Sequence, residues 1–163
     1  LYPLLQPDGV IFPYTPQIQV NYTANYDGTD LAHSNYKIYQ YKNSEVGQIQ
    51  ITGMFTAQDT IEANYLLAVI HFFRSATKMF FGQGEYAGNP PLVCNLTGYG
   101  SSIFDKVPVI VKSFSVDLKD DVNYIRCNTF GTNTWVPVIS TVSVTLTPVY
   151  HTAEVFAEYM PEL

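Results

Sequence analysis

The chain has 163 residues, the size of one domain with a core of its own. Its net charge of −6 excludes a nucleic-acid grip built on phosphate neutralisation, which needs a basic stripe. Charged residues make up only 13% of the chain and aromatics 15%, so the surface is poor in charge and points to a protein largely covered by partners.

No apolar run is long enough to span a bilayer and no signal-peptide layout is present, so a soluble chain without membrane contact is expected. No initiator Met opens the sequence, and a portion of something longer is expected. Cys94 and Cys127 fall in predicted strands without CxxC spacing and read as buried free thiols.

Residues 1–16 carry Pro3, Pro7, Pro13 and Pro16, which exclude a helix or central strand and predict an extended arm. Leu1, Tyr2, Leu4, Leu5, Val10, Ile11, Phe12 and Tyr14 make it too apolar for a solvated tail, so it lies against its own domain or a neighbour. Residues 17–163 read as a single domain. Within it, residues 17–26 alternate strictly. Ile18, Val20, Tyr22, Ala24 and Tyr26 share one face, and Gln17, Gln19, Asn21, Thr23 and Asn25 share a polar face without charge. Asp27-Gly28 predicts a turn, residues 35–42 a second strand, residues 42–47 another turn, and residues 48–56 a third strand. In the last, Ile49, Ile51, Gly53 and Phe55 oppose Gln48, Gln50, Thr52 and Met54.

Residues 56–82 are the only long stretch with helical periodicity, and a helix is expected over about 57–80. Thr56 is placed to cap it, Asp59 to answer in a capping box, and Gly82 to stop it. Ile61, Tyr65, Val69, Phe72 and Ala76, with Leu66, Ile70 and Phe73 beside them, predict the buried face. Asn64, His71, Ser75 and Lys78 predict the polar edge.

After a Gly- and Pro-rich loop at 82–91, strands are expected over 92–99 and 107–118, with Pro108 marking an edge or bulge. A turn at 119–122 leads to a hairpin partner at 123–128, then a loop and one last strand over 135–150. That strand places Val142, Val144 and Leu146 inside and Thr141, Ser143, Thr145 and Thr147 outside. Thr152 is placed to cap a closing helix over 153–160. The order strands, helix, strands predicts a mainly β (α+β) domain: antiparallel sheets in a sandwich or partial barrel with one flanking helix.

Chemistry is sparse. His33, His71 and His151 stand apart, and no metal-ligand spacing occurs, so no metal or cofactor is expected. Asp117, Asp120 and Asp121 read as a solvated turn. Gly82, Gly84 and Gly88 follow a helix where a phosphate loop needs a strand first. No nucleophile, base and orienting group can be assembled, so an enzyme is not expected.

The run Phe55-Thr56-Ala57-Gln58-Asp59, then Glu62-Ala63, then Leu67-Ala68-Val69-Ile70-His71-Phe72-Phe73-Arg74-Ser75-Ala76-Thr77-Lys78-Met79-Phe80-Phe81-Gly82, closely resembles the tail-tube cap and tail-tube initiator proteins in the baseplates of T-even-like contractile-tailed bacteriophages. Pro90-Pro91, Gly98-Tyr99-Gly100, Val107-Pro108-Val109-Ile110, Asp120-Asp121-Val122-Asn123-Tyr124-Ile125, Val136-Pro137 and Pro148-Val149-Tyr150 resemble the same family in the same order, so the likeness spans residues 10–151. Members are commonly longer than this chain.

The resemblance implies the tail-tube fold, with the domain contributing to a hexameric β-barrel ring. Such a structural virion protein joins the baseplate hub to the tail tube and initiates tube assembly. Its implied partners are five further copies, the adjacent tube and hub rings, and the tape-measure protein; DNA passes without being bound specifically. The implied location is the virion, in the baseplate-proximal tube, with assembly in the host cytoplasm. Together with the uncharged strand faces, it makes Gln17, Gln19, Asn21, Thr23, Gln48, Gln50 and Thr52 the candidates for lining the lumen. Phe12, Tyr14, His71, Arg74 and Lys78, with the loops at 82–91 and 129–134, are the candidates for subunit or partner contacts. A major tube subunit or a secreted injection-tube ring would share the architecture. A carbohydrate-binding β-sandwich, expected as a monomer with exposed aromatics, is the reading from a different class.

Overall fold

The computed structural model describes residues 2–5, 7–80, 82, 84, 87–100, 102–129 and 131–150. The expected closing helix, its cap Thr152, and His151 lie outside the described residues. A 3-10 turn, Tyr2–Leu4, precedes β1 (Gln17–Asp30) and β2 (Lys37–Thr56). Helix α1 (Thr60–Ala76) follows, then β3 (Cys94–Gly98), β4 (Phe104–Leu118), β5 (Tyr124–Thr129), β6 (Thr132–Pro137) and β7 (Ile139–Pro148). The five-stranded sheet has the order β1-β2-β7-β4-β3 with every neighbouring pair antiparallel, and β5 with β6 forms a separate two-stranded ribbon. The domain is thus mainly β with one helix, and its sheet is open, not a closed barrel.

One face of the sheet carries the core. Ile49, Ile51 and Phe55 of β2, Val142, Val144 and Leu146 of β7, and Val109 and Val111 of β4 are buried there. Helix α1 packs against β2 and β4, and also touches β5 of the ribbon, whose Cys127 and Val136 are buried in the same cluster. Phe73 of the helix stacks on Phe114 of β4 with centroids 5.8 Å apart. Cys94 and Cys127 are both free thiols, but only Cys127 is buried as expected; Cys94 is half-buried, and its partial burial pushes the thiol up from its ordinary pKa.

The helix is shorter than its periodicity suggested. Asp59, not Thr56, is the N-cap: its Oδ1 accepts from the Glu62 backbone N–H at 2.8 Å, and Glu62 Oε2 accepts from the Gln58 N–H at 2.8 Å. The box sits three residues later because residues through Thr56 are held in β2 opposite Ile139. Thr77, not Gly82, closes the helix, its hydroxyl donating to the carbonyls of Phe73 and Arg74. The buried residues are Ala63, Leu66, Ala68, Val69 and Phe73, whereas Ile61 is 77% exposed. Leu66, Val69 and Phe73 form the middle of the buried arc, with Ala63 and Ala68 at its borders, and Ile61 in the first turn is left in solvent.

Three expected strand boundaries are also corrected. Asp27 and Gly28 pair with Gln40 and Tyr39 inside the hairpin, and the turn lies at 31–36. The turn expected at 42–47 is absent: one twenty-residue strand runs through it, interrupted only by register shifts opposite Val20–Tyr22 and Asn25–Tyr26. Glycine there signals a bulge, since the backbone oxygen of Asn21 lies 2.7 Å from where a Gly47 Cβ would stand. Finally, β5 leaves β4 and pairs with β6, and the expected strand over 135–150 breaks at Val138. There the Val138 N–H donates to Asn123 O and its carbonyl accepts from the Ala57 N–H, both at 2.9 Å. Val138 is therefore a corner tying ribbon, sheet and helix entry together.

The arm lies on its own domain. Ile11 N–H donates to the Tyr65 hydroxyl, Phe12 seats over Gly53 and beside Phe55 at 5.3 Å between centroids, and Leu4 is buried.

Candidate functional site

The face of the sheet away from α1 is paved mainly by uncharged polar side chains, with Lys112 and Asp117 of β4 among them as exposed charges. Strand alternation with the core residues fixed on the other face puts Gln17, Gln19, Gln50 and Thr52 on it. The pairing extends these into rows across the sheet: Gln17, Thr52, Ser143 and Ser115 in one, Gln19, Gln50, Thr145 and Ser113 in the next. Hydroxyls of Thr52 and Ser143 are hydrogen-bonded at 3.2 Å, so neighbouring strands satisfy one another within the pavement. Exposed Asn95 and Thr97 of β3 and Met54 of β2, with half-buried Thr141 of β7, complete it. At Gly47 and Gln48 two residues of β2 face Asn21 alone, between Val46 and Ile49, which keeps Gln48 on the polar side.

Beyond Val20 and Ile49 the β1–β2 hairpin leaves the sheet and projects alone, roughly 30 Å at about 3.4 Å per residue. Its polar face continues the pavement through Asn21, Thr23 and Asn25, with the exposed carboxylate Glu45 opposite Thr23, and Asn25 Nδ2 donates to Asn43 Oδ1 at 3.1 Å. Its other face, continuous with the core side, carries Tyr22, Tyr26, Tyr39, Tyr41 and Val46. Tyr22 and Tyr39 are 76% and 67% exposed, and the Tyr26 and Tyr41 rings meet edge to face at 5.6 Å. Only Ile18 and Val20, at the base of β1, join the core as the alternation predicted; Tyr22, Ala24 and Tyr26 are exposed. Asp30–Lys37 at 3.0 Å and Asp27–Lys42 at 3.4 Å brace the tip.

The edges of the sheet matter as much as its face. Among the described residues β1 pairs only with β2, so its outer edge is open there along its whole length, and residues 17–26 contain no charge and no proline to guard it. On the opposite side β3 covers β4 only from Phe104 to Val109. Pro90 and Pro91 lie just ahead of β3 and cannot extend its ladder, and Leu92, 85% exposed, turns away. From Ile110 to Leu118 the outer edge of β4 is therefore unpaired among the described residues. At the level of Gln17–Val20 the sheet has four strands, β1-β2-β7-β4, with a free strand at each side.

The expected contact residues are dispersed. Phe12 is packed inside its own domain, Tyr14 is exposed on the arm, and His71, Arg74 and Lys78 are exposed along the outward side of α1 and just past its end. None of the last three forms an ion pair among the described residues. Sequence reasoning missed the tyrosine face and the β4 edge; an uninterrupted polar alternation across Asp27-Gly28 was the available signal for a longer hairpin. An open groove of about 600 Å³ runs beside the arm, lined by Val10, Phe12, Ile18, Ile51, Leu96 and Phe104, and holds no cluster of titratable groups. No group of three or more His, Cys, Asp or Glu able to hold a metal occurs among the described residues.

No protein-family model matches the chain, and no curated protein matches it in sequence.

Proposed function

We propose that the protein is a structural ring subunit whose sheets join edge to edge into one barrel around a lumen, the role filled by a ring between the baseplate hub and tail tube of a contractile phage tail. The observation that carries the reading is the pair of free edges at one level of the sheet. β1 and β4 flank a four-stranded segment in which directions alternate, so β1 of a second copy would meet β4 antiparallel. A closed ring pairs the facing parts of both edges, and an unguarded edge otherwise templates uncontrolled pairing.

The paved face supports the same reading. Joined sheets would carry their Gln, Thr and Ser rows round the inside of the barrel, a wall mostly of amides and hydroxyls in which Lys112 of each copy is offset by Asp117, so that tape-measure protein and DNA pass without a net basic grip on phosphates. The tyrosine face of the projecting hairpin would then lie outward along the axis, against the next ring. A two-stranded ribbon is marginal by itself in water, which favours a covered state. The hexameric state and the place at the tube–baseplate junction, where the ring starts tube assembly, come from the family resemblance.

Electron microscopy of the concentrated protein, with native mass, tests this. A sixfold ring with an open centre and with Gln19 and Gln50 facing it is expected; a monomer at high concentration, or a ring with those residues on its outer wall, overturns the reading.

A further inference from the structure

Lys112 is an extra residue in β4. Val111 pairs with Leu146 and Ser113 pairs with Thr145, consecutive residues of β7, so Lys112 has no partner of its own. Val111 is buried on the core face and Phe114, opposite Val144, packs against the core. Lys112 and Ser113 therefore both lie on the paved face. Without Lys112 the strand would alternate regularly, Val111 in, Ser113 out, Phe114 in, and the pairing on either side would be unchanged. The bulge is thus not required by the core. It is also placed on the one long stretch of β4 whose outer edge is open, and it brings a lysine to that edge. A bulge bends its strand, raises the local twist and interrupts the ladder, and lysine is a common guard of open edges.

We propose that the Lys112 bulge is the register stop of the joint between copies: the β1 edge of a second copy pairs with β4 on the Ser113–Leu118 side and cannot continue past Lys112. This rests on the ring reading and specifies its joint. The occupant is a second copy, because the Gln17 and Gln19 rows of β1 end level with Ser115 and Ser113, so joining there continues the uncharged pavement from one copy to the next. Register is weakly specified by the side chains of β1 alone, since its polar-face positions from Gln17 to Asn25 are all amides or hydroxyls. An internal stop supplies what the side chains do not, and the added twist suits closure over open growth.

Hydrogen exchange on the assembled wild-type protein reads the joint directly. Amides among 114–118 should gain protection on assembly while those at 110 and 112 do not; protection running unbroken through 110–118 overturns the proposal, whatever the variants do. Deletion of Lys112 should leave the thermal midpoint of the dilute chain within a few degrees, extend protection to residue 110, and replace the wild-type ring by a mixture of sizes. Lys112→Ala, which keeps the extra residue, should assemble as wild type. A deletion variant forming the same ring with the same protection overturns the proposal, as does an alanine variant that behaves like the deletion. A wild-type chain that stays monomeric overturns the ring reading itself, and this joint with it.

Discussion

The hydroxyl of Tyr65, on α1, holds the backbone of Ile11 from both sides: it accepts from the Ile11 N–H at 2.8 Å and donates to the Ile11 carbonyl at 3.0 Å. One side chain thereby satisfies both polar groups of an arm residue that no strand pairs, and it fixes the arm to the helix. Tyr65→Phe keeps the ring and removes both bonds. It should cost about 1–2 kcal/mol and raise the rate of proteolysis within residues 5–16, while protection of the β7 amides is retained. Unchanged arm proteolysis would mean that Phe12 and Leu4 hold the arm without the clamp.

Phe12 and Gly53 form the second anchor. A Cβ on Gly53 would stand 2.6 Å from Phe12 Cε1, so only glycine lets the ring sit flat on β2. Gly53→Ala should destabilise by about 1–3 kcal/mol through displacement of the ring. In Phe12→Ala the space is already empty, and adding Gly53→Ala should then cost much less. A double-mutant cycle by chemical denaturation measures the coupling; additive losses would show that the ring is not the obstacle.

Ser140 is fully buried in β7, opposite Phe55 and Leu118, and its Oγ has no hydrogen-bond partner among the described residues. An unsatisfied hydroxyl in such a place is unfavourable, so Ser140→Ala should be neutral or stabilising by up to about 1 kcal/mol. A loss above that in thermal unfolding would reveal a partner for Oγ.

How much of this was legible in the sequence depended on which force decided each feature. The alternation of Ile49, Ile51, Gly53 and Phe55, and of Val142, Val144 and Leu146, follows from burial of one face, and the structure keeps it residue for residue. The helix was visible as a period, but its ends were set by competition: β2 retains Thr56 in its ladder, which hands the cap to Asp59. Ile61 fits the apolar period yet is exposed, because the apolar face is wider than the arc that Leu66, Val69 and Phe73 bury. Long-range pairing was not legible. Nothing local tells β5 to leave its neighbour β4 for β6, or tells Asp27-Gly28 to stay extended, since both are decided by partners distant in sequence. The polar rows were readable strand by strand, whereas the open stretch of the β4 edge came only from knowing where β3 stops.

Gln50 lies in the middle of the paved face, paired with Gln19 on one side and Thr145 on the other, and is exposed. In a lone domain, Gln50→Glu is a surface change and should alter the thermal midpoint little, within about 0.5 kcal/mol. In a closed ring the same substitution sets one carboxylate from every copy around a narrow lumen, where like charges repel and are desolvated together. The mutant ring should therefore assemble less readily at low ionic strength, recover as salt rises toward a Debye length of about 3 Å at 1 M, and recover also as acid protonates the new carboxylates. Gln58→Glu, at an exposed position outside the paved strands, adds the same charge elsewhere and should show neither dependence. Sedimentation of both variants across a salt series separates the cases. Identical behaviour of the two would place Gln50 away from any lumen, while salt-rescued assembly unique to Gln50→Glu is what a channel-lining position requires.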